Sequence, residues 1–303
     1  MPPTPEPAVH TVPAAGGRQL EVLVAGPEDG LPLVFHNGTP SGLVAFAPMV
    51  DAAADRGLRT VMYARPGYGA STPQPGRRVA DAAADVTAVL DALGATEFVT
   101  AGWSGGGPHA LACAALLPGR CRSAATIAGV APSDADGLDW LAGMGEGNVA
   151  EFAATDAGEA ELTKFLTAEA DQLRGVTADQ VAAGLGDLVS DADKAVITGE
   201  FAAYLADSFT AGLTPGIDGW RDDDLAFNQD WGFGLEILGQ EGSVPVGIWQ
   251  GDHDRMVPFA HGQWLAAHVP GATAHLIPGA GHLSLIDQFG LILDDLLSAA
   301  RAS

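Results

Sequence analysis

Two spacings of apolar positions run through the chain. Leu31 to Phe35, Arg59 to Tyr63, Glu97 to Ala101, Ser123 to Ile127, Val244 to Trp249 and Thr273 to Ile277 are short, apolar and partly β-branched. Such runs predict buried strands. Longer stretches with an apolar stripe at helical spacing follow them: Leu43 to Arg56, Val79 to Leu93, His109 to Leu117, Pro258 to His268 and Ser284 to Arg301. These predict helices. His10 to Val12 and Gln19 to Val24, separated by Gly16-Gly17, predict an opening antiparallel pair. Strand and helix in alternation predict an α/β fold. Its sheet is mostly parallel, doubly wound, covered on both faces and built from about eight strands.

The alternation stops between Pro132 and Gly242. Gly147 to Ala154, Glu159 to Leu173, Thr177 to Leu188 and Asp191 to Ala206 are rich in helix formers and acids, with no strand pattern between them. The expected organisation is a core domain of residues 1–131 and 243–303, interrupted by a helical cap over 132–242. No internal repeat is present.

Composition narrows the partners. A chain of 303 residues that is 47% hydrophobic can bury a large core. Its net charge is −24, which repels phosphate backbones and anionic membranes, so no nucleic-acid or membrane partner is expected. No apolar run is long enough to span a bilayer. Met1 to Pro7 lacks the basic region and apolar core of a signal peptide and is expected to be a disordered lead-in. Cys113 and Cys121 are read as two buried, reduced thiols, with a disulfide as the alternative; a cytoplasmic location follows.

The chemistry starts at Gly102-Trp103-Ser104-Gly105-Gly106, a G-x-S-x-G between a predicted strand and a predicted helix. In that setting the serine stands at the apex of a sharp turn, and glycines let the flanking backbone close up around it. Pro108 suits the first helical turn. The helix N-terminus then faces any anion that develops there. Downstream, Gly251 to Pro258 puts Asp254 at the end of a strand, and Pro278-Gly279-Ala280-Gly281-His282 puts a histidine just past the last strand. Serine is a weak nucleophile; an imidazole can take its proton, and a carboxylate can hold the imidazole in the required tautomer. The chain order is Ser104, Asp254, His282.

With these three motifs, G-W-S-G-G, G-D-H-D-R-M-V-P and G-A-G-H, the chain from about residue 10 to 300 resembles the α/β-hydrolase superfamily. The resemblance implies a catalytic triad of Ser104, Asp254 and His282 and no cofactor. It also implies an oxyanion hole made by the N–H of Gly105 and one from the loop after the third strand. Here that loop reads His36-Asn37-Gly38-Thr39-Pro40, which aligns Thr39 as the donor, with Gly38 as the alternative. Tyr63 to Ser71 resembles the family's D-x-x-G-x-G-x-S loop, but Ala64 stands where the aspartate is usual. Arg65 is read there as part of a local ion-pair network. The expected activity is hydrolysis of a carboxylic ester with a small or medium apolar acyl group. A proline-iminopeptidase-like aminopeptidase, or cleavage of a lactone or a carbon–carbon bond, is the alternative. Serine at the elbow argues against the dehalogenases and epoxide hydrolases of this superfamily, whose nucleophile is a carboxylate. The partner is a small molecule.

Other residues admit plainer readings. His109 is expected to pack on its helix. Asp252 and Asp134 are alternative acids. Asp252, His253 and Asp254 are adjacent on a strand end and point different ways, so no metal site is expected. Trp103, Trp231 and Phe233 are candidates for the substrate pocket, with packing of the cap as the alternative for the last two. Arg221-Asp222-Asp223-Asp224 reads as a solvated turn, or else as an acidic pocket wall that holds a substrate amine.

Overall fold

A computed structural model of the chain describes residues 7–302. Residues 1–6 of the expected lead-in lie outside the described residues. The strands are β1 (Ala8–Pro13), β2 (Gln19–Ala25), β3 (Leu31–His36), β4 (Leu58–Tyr63), β5 (Phe98–Trp103), β6 (Cys121–Ile127), β7 (Val246–Gly251) and β8 (Thr273–Ile277). They form one sheet in the order β1-β2-β4-β3-β5-β6-β7-β8. β1 and β2 pair antiparallel, as do β2 and β4, and every later pairing is parallel.

The period-two alternation of the strands feeds two apolar layers. Val34, Val61, Phe98, Ala124 and Ile248 face one layer. Leu33, Phe35, Met62, Val99, Ile127 and Trp249 face the other. Helices α1 (Ala47–Ala54) and α11 (Phe289–Ala302) cover the second layer with Val50, Phe289 and Leu293. Helices α2 (Ala82–Ala92), α3 (Gly107–Leu116) and α10 (Phe259–His268) cover the first with Val86, Leu111 and Leu265. The eight-stranded α/β-hydrolase fold expected from the sequence is therefore present.

Several boundaries differ from the sequence reading, each for a local reason. The helix expected from Leu43 begins only at Ala47, with Pro48 in its first turn, where proline's missing N–H costs nothing. The helix expected over Asp191 to Ala206 is two. α7 (Asp191–Val196) ends where Ile197 and Thr198 leave helical geometry, and α8 (Gly199–Leu213) starts at a glycine with φ +50°. Between β6 and β7 the chain also forms α4 (Glu146–Asp156), α5 (Glu159–Leu173), α6 (Ala178–Gly184) and α9 (Asp218–Phe227). No strand interrupts these helices. Cys113 and Cys121 are buried and unpaired. Among the described residues no helix is long and apolar enough to cross a membrane.

Candidate active site

β5 leads directly into a 3₁₀ turn, Ser104–Gly106, and then into α3. Ser104 has φ +53°, a left-handed conformation that a side chain rarely adopts. The packing around the turn demands glycine at its flanks. A Cβ on Gly102 would collide with the Gly106 carbonyl, and one on Gly106 would collide with the His36 carbonyl. The strained serine is thus presented at the start of a helix whose second residue is Pro108. His109 sits below on α3 and donates its Nδ1–H to the Gly105 carbonyl at 2.8 Å. Burial, and then the Arg65 charge, push its pKa down to about 3, so it is a neutral packing residue as the sequence suggested.

His282 and Asp254 meet from the loops after β8 and β7. The imidazole donates Nδ1–H to Asp254 Oδ2 at 2.8 Å, and both side chains are buried. The rest of the carboxylate is satisfied: Oδ2 also accepts from Gln250 Nε2 at 2.9 Å, and Oδ1 accepts the N–H groups of Met256 and Val257 at 2.9 and 2.8 Å. An aspartate held on four sides keeps its partner in one tautomer, with Nε2 left as the lone-pair nitrogen. Burial opposes the charged imidazole. The Asp254 charge, its hydrogen bond and the Asp193 charge outweigh this, and the His282 pKa rises above its ordinary 6.5. Neighbouring Asp252 instead accepts from the Gly279 N–H, and the exposed His253 lies 3.9 Å from Asp252 Oδ1, so Asp254 alone of the three meets His282.

The loop after β3 lies against the serine. A Cβ placed on Gly38 would stand 3.3 Å from Ser104 Cβ. From below, Arg65 Nη1 donates to the Asn37 carbonyl at 2.6 Å, and Arg65 Nη2 donates to Thr39 Oγ1 at 3.1 Å. Arg65 in turn is paired with Asp223 of α9, Nη2 to Oδ2 at 2.5 Å.

The sequence profile described as "alpha/beta hydrolase fold" matches residues 32–289. The chain belongs to the α/β-hydrolase family. Among curated relatives, a non-heme chloroperoxidase of Streptomyces lividans is 35% identical over 124 residues, covering 40% of this chain and 45% of the relative. An epoxide hydrolase B of Mycobacterium tuberculosis is 30% identical over 124 residues, covering 39% of this chain and 35% of the relative. The match therefore spans less than half the length of these relatives. A solved carboxylesterase of Bacillus subtilis superposes with a TM-score of 0.64 at 19% identity, over 99% of this chain and 93% of that one. At that identity the likeness establishes the fold.

In this α/β hydrolase, Ser104 and His282 open on one cavity of about 540 Å³. Gly38, Thr39 and Trp103 line it from the sheet side. Phe165, Phe201, Leu205, Phe209 and Trp220 line it from the helices between β6 and β7. The sequence reading placed Trp231 and Phe233 in the pocket, and this is corrected. Past α9 the chain returns to the sheet, where Trp231 packs in the layer with Val79, Phe227 and Leu235, and Phe233 leans on it at 6.0 Å between ring centroids. Trp220 is the tryptophan of this region that reaches the cavity.

The solvated turn expected at Arg221 to Asp224 is also corrected. These residues lie in α9, and Asp222, Asp223 and Asp224 are buried. None of the three lines the cavity. Asp222 pairs with Arg221 at 2.9 Å and Asp223 with Arg65 and Arg77. Burial, and then the neighbouring Glu151, push the Asp224 pKa well up, which favours its neutral form. The sequence reading missed Asp193. Its signal was the capping pattern Ser190-x-x-Asp193, in which Ser190 Oγ and N–H both donate to Oδ2. It likewise missed Phe201, Leu205 and Phe209, whose spacing of four marks one face of α8.

Proposed function

We propose that this enzyme hydrolyses carboxylic esters with a small or medium apolar acyl group through an acyl-enzyme. Ser104 Oγ attacks the carbonyl carbon while His282 Nε2 takes its proton. His282 then gives that proton to the departing alcohol. Water attacks the acyl carbon in the second half, with His282 again as base, and the carboxylic acid leaves. Asp254 orients the imidazole and stabilises its charged form. The N–H groups of Gly105 and Thr39 hold the oxyanion, each worth about 3 kcal/mol to the transition state. Residues 132–242 act as a cap whose aromatic side chains bound the acyl site.

One observation carries this reading. The strained serine and the Asp254-bound imidazole border the same cavity, and Phe165, Phe201, Phe209 and Trp220 give its far wall an apolar part beside the polar Glu151, Glu169 and Arg174. The acidic run that would recommend an amine-binding aminopeptidase is tied up in buried interactions, which favours the ester. Two buried, unpaired cysteines suit a reducing compartment, and we place the enzyme in the cytoplasm. The test is a substrate panel with p-nitrophenyl butyrate beside prolyl-naphthylamide, run on the wild type and on Ser104→Ala. Ester turnover by the wild type alone supports the reading. Activity confined to the amide overturns it.

A further inference from the structure

Asp223 is fully buried and far along the chain from the loop it serves. Its carboxylate receives Arg65 Nε at 3.0 Å, Arg65 Nη2 at 2.5 Å, Arg77 Nη2 at 2.7 Å, the Tyr68 hydroxyl at 2.9 Å and the Thr39 hydroxyl at 2.7 Å. A buried carboxylate is tolerated only with such partners. Burial opposes its charge, but Arg65 and Arg77 more than compensate and hold its pKa far below the usual carboxylate range. The five donors therefore converge on a permanent anion.

What that anion fixes is the backbone beside Ser104. Asp223 locks the plane of the Arg65 guanidinium, whose outer edge donates to the Asn37 carbonyl at 2.6 Å and makes a longer contact of 3.4 Å with the Gly38 carbonyl, which also accepts the Ser41 N–H at 3.1 Å. In a planar trans peptide the C=O of one residue and the N–H of the next point in opposite directions. Holding the Asn37 carbonyl toward Arg65, and the Gly38 carbonyl between Arg65 and the Ser41 N–H, turns the N–H groups of Gly38 and Thr39 to the other side of the loop. Gly38 lies against Ser104 across that loop. The Thr39 hydroxyl ties the same residue to Asp223 a second time.

We propose that Asp223 is a positioning residue: a carboxylate from the inserted helices that, through Arg65 and the Thr39 hydroxyl, aims the Gly38 and Thr39 backbone N–H groups at the oxyanion. The proposal rests on the ester-hydrolase reading above. It makes α9 part of the apparatus for transition-state stabilisation as well as a wall of the fold. A carboxylate that served folding alone would alter stability and leave the reaction of the folded enzyme untouched.

The test compares Thr39→Val, Thr39→Ser and Asp223→Asn with the wild type, and reads kcat, KM and inhibition by phenylboronic acid. The boronate forms a tetrahedral anion on a serine and so reports on the oxyanion site, whereas KM reports mainly on the acyl pocket. Thr39→Val removes the hydroxyl and keeps the branched shape. It is expected to lower kcat and boronate affinity in parallel, by about tenfold, with KM within about threefold. Thr39→Ser restores the hydroxyl and should recover both. Asp223→Asn should lose more than Thr39→Val. Unchanged kcat and boronate affinity in Thr39→Val, or Thr39→Ser as impaired as Thr39→Val, overturns the proposal, whether or not Asp223→Asn folds. A wild type that neither turns over ester nor binds boronate overturns the hydrolase reading itself, and this inference with it.

Discussion

Asp193 Oδ1 accepts the Leu283 N–H at 2.7 Å, across 90 residues of chain. It also accepts the Ser284 N–H at 2.9 Å, so the turn that carries His282 hangs from the capped start of α7. The carboxylate does two things there: it satisfies buried backbone donors, and its charge favours the protonated imidazole. Asp193→Asn keeps an oxygen acceptor and loses the charge. The acid limb of its kcat/KM profile should move to lower pH. Asp193→Ala also strands the two N–H groups and should lose about 2 to 3 kcal/mol in urea denaturation. An acid limb that stays in place in Asp193→Asn would show that the Asp193 charge is not felt at His282.

In the proposed mechanism His282 sets the pH dependence. Its folded pKa lies above 6.5, and the base is active only when neutral. Below that pKa, kcat/KM should fall about tenfold per pH unit. Stability should not fall with it. A histidine with a raised folded pKa contributes stability that is fully present below its unfolded pKa, and loses it as pH rises through the folded value. The depressed pKa values of Asp193 and Asp223 keep their contributions intact until much lower pH. Circular dichroism near pH 6 should therefore match that at neutral pH, while ester turnover is already reduced.

The left-handed Ser104 predicts an exchange of stability against activity. Glycine adopts φ +53° without a Cβ penalty, whereas alanine does not. Both Ser104→Gly and Ser104→Ala should be inactive. The glycine variant should be the more stable of the two by about 1 kcal/mol in chemical denaturation. Equal midpoints would mean the turn is not strained in solution.

Aromatic residues of similar burial should behave differently according to the surface they face. Phe201 lines the cavity, so Phe201→Ala lengthens the space available to an acyl chain. Its preference should shift toward longer p-nitrophenyl esters by about tenfold in relative kcat/KM. Trp231 packs against the sheet, so Trp231→Ala should cost about 3 to 5 kcal/mol and leave the chain-length preference unchanged. A chain-length series on both variants checks the pair.

The sequence makes the sheet legible because strand and helix periods are local properties. The serine elbow is legible for the same reason: Gly102, Ser104 and Gly106 are close in sequence and constrain one turn. Asp254 and His282 could be named from their place after a strand, and the structure joins them at 2.8 Å. Asp223 could not. Its partners Thr39, Arg65 and Arg77 lie 184, 158 and 146 residues away, and three consecutive acids look like a solvated turn until two guanidinium groups arrive from elsewhere. Trp231 and Phe233 were misplaced because composition marks them as apolar but not which face they meet. The direction the chain takes after Asn228 decides that, and it is a tertiary fact.

The most direct measurement is active-site titration with a fluorophosphonate, followed by peptide mapping by mass spectrometry, on the wild type and on His282→Ala. The account predicts one adduct per chain, on Ser104, formed rapidly in the wild type and at least about a hundredfold more slowly without the imidazole. An unlabelled wild type, an adduct on another residue, or equal labelling rates with and without His282 would contradict it.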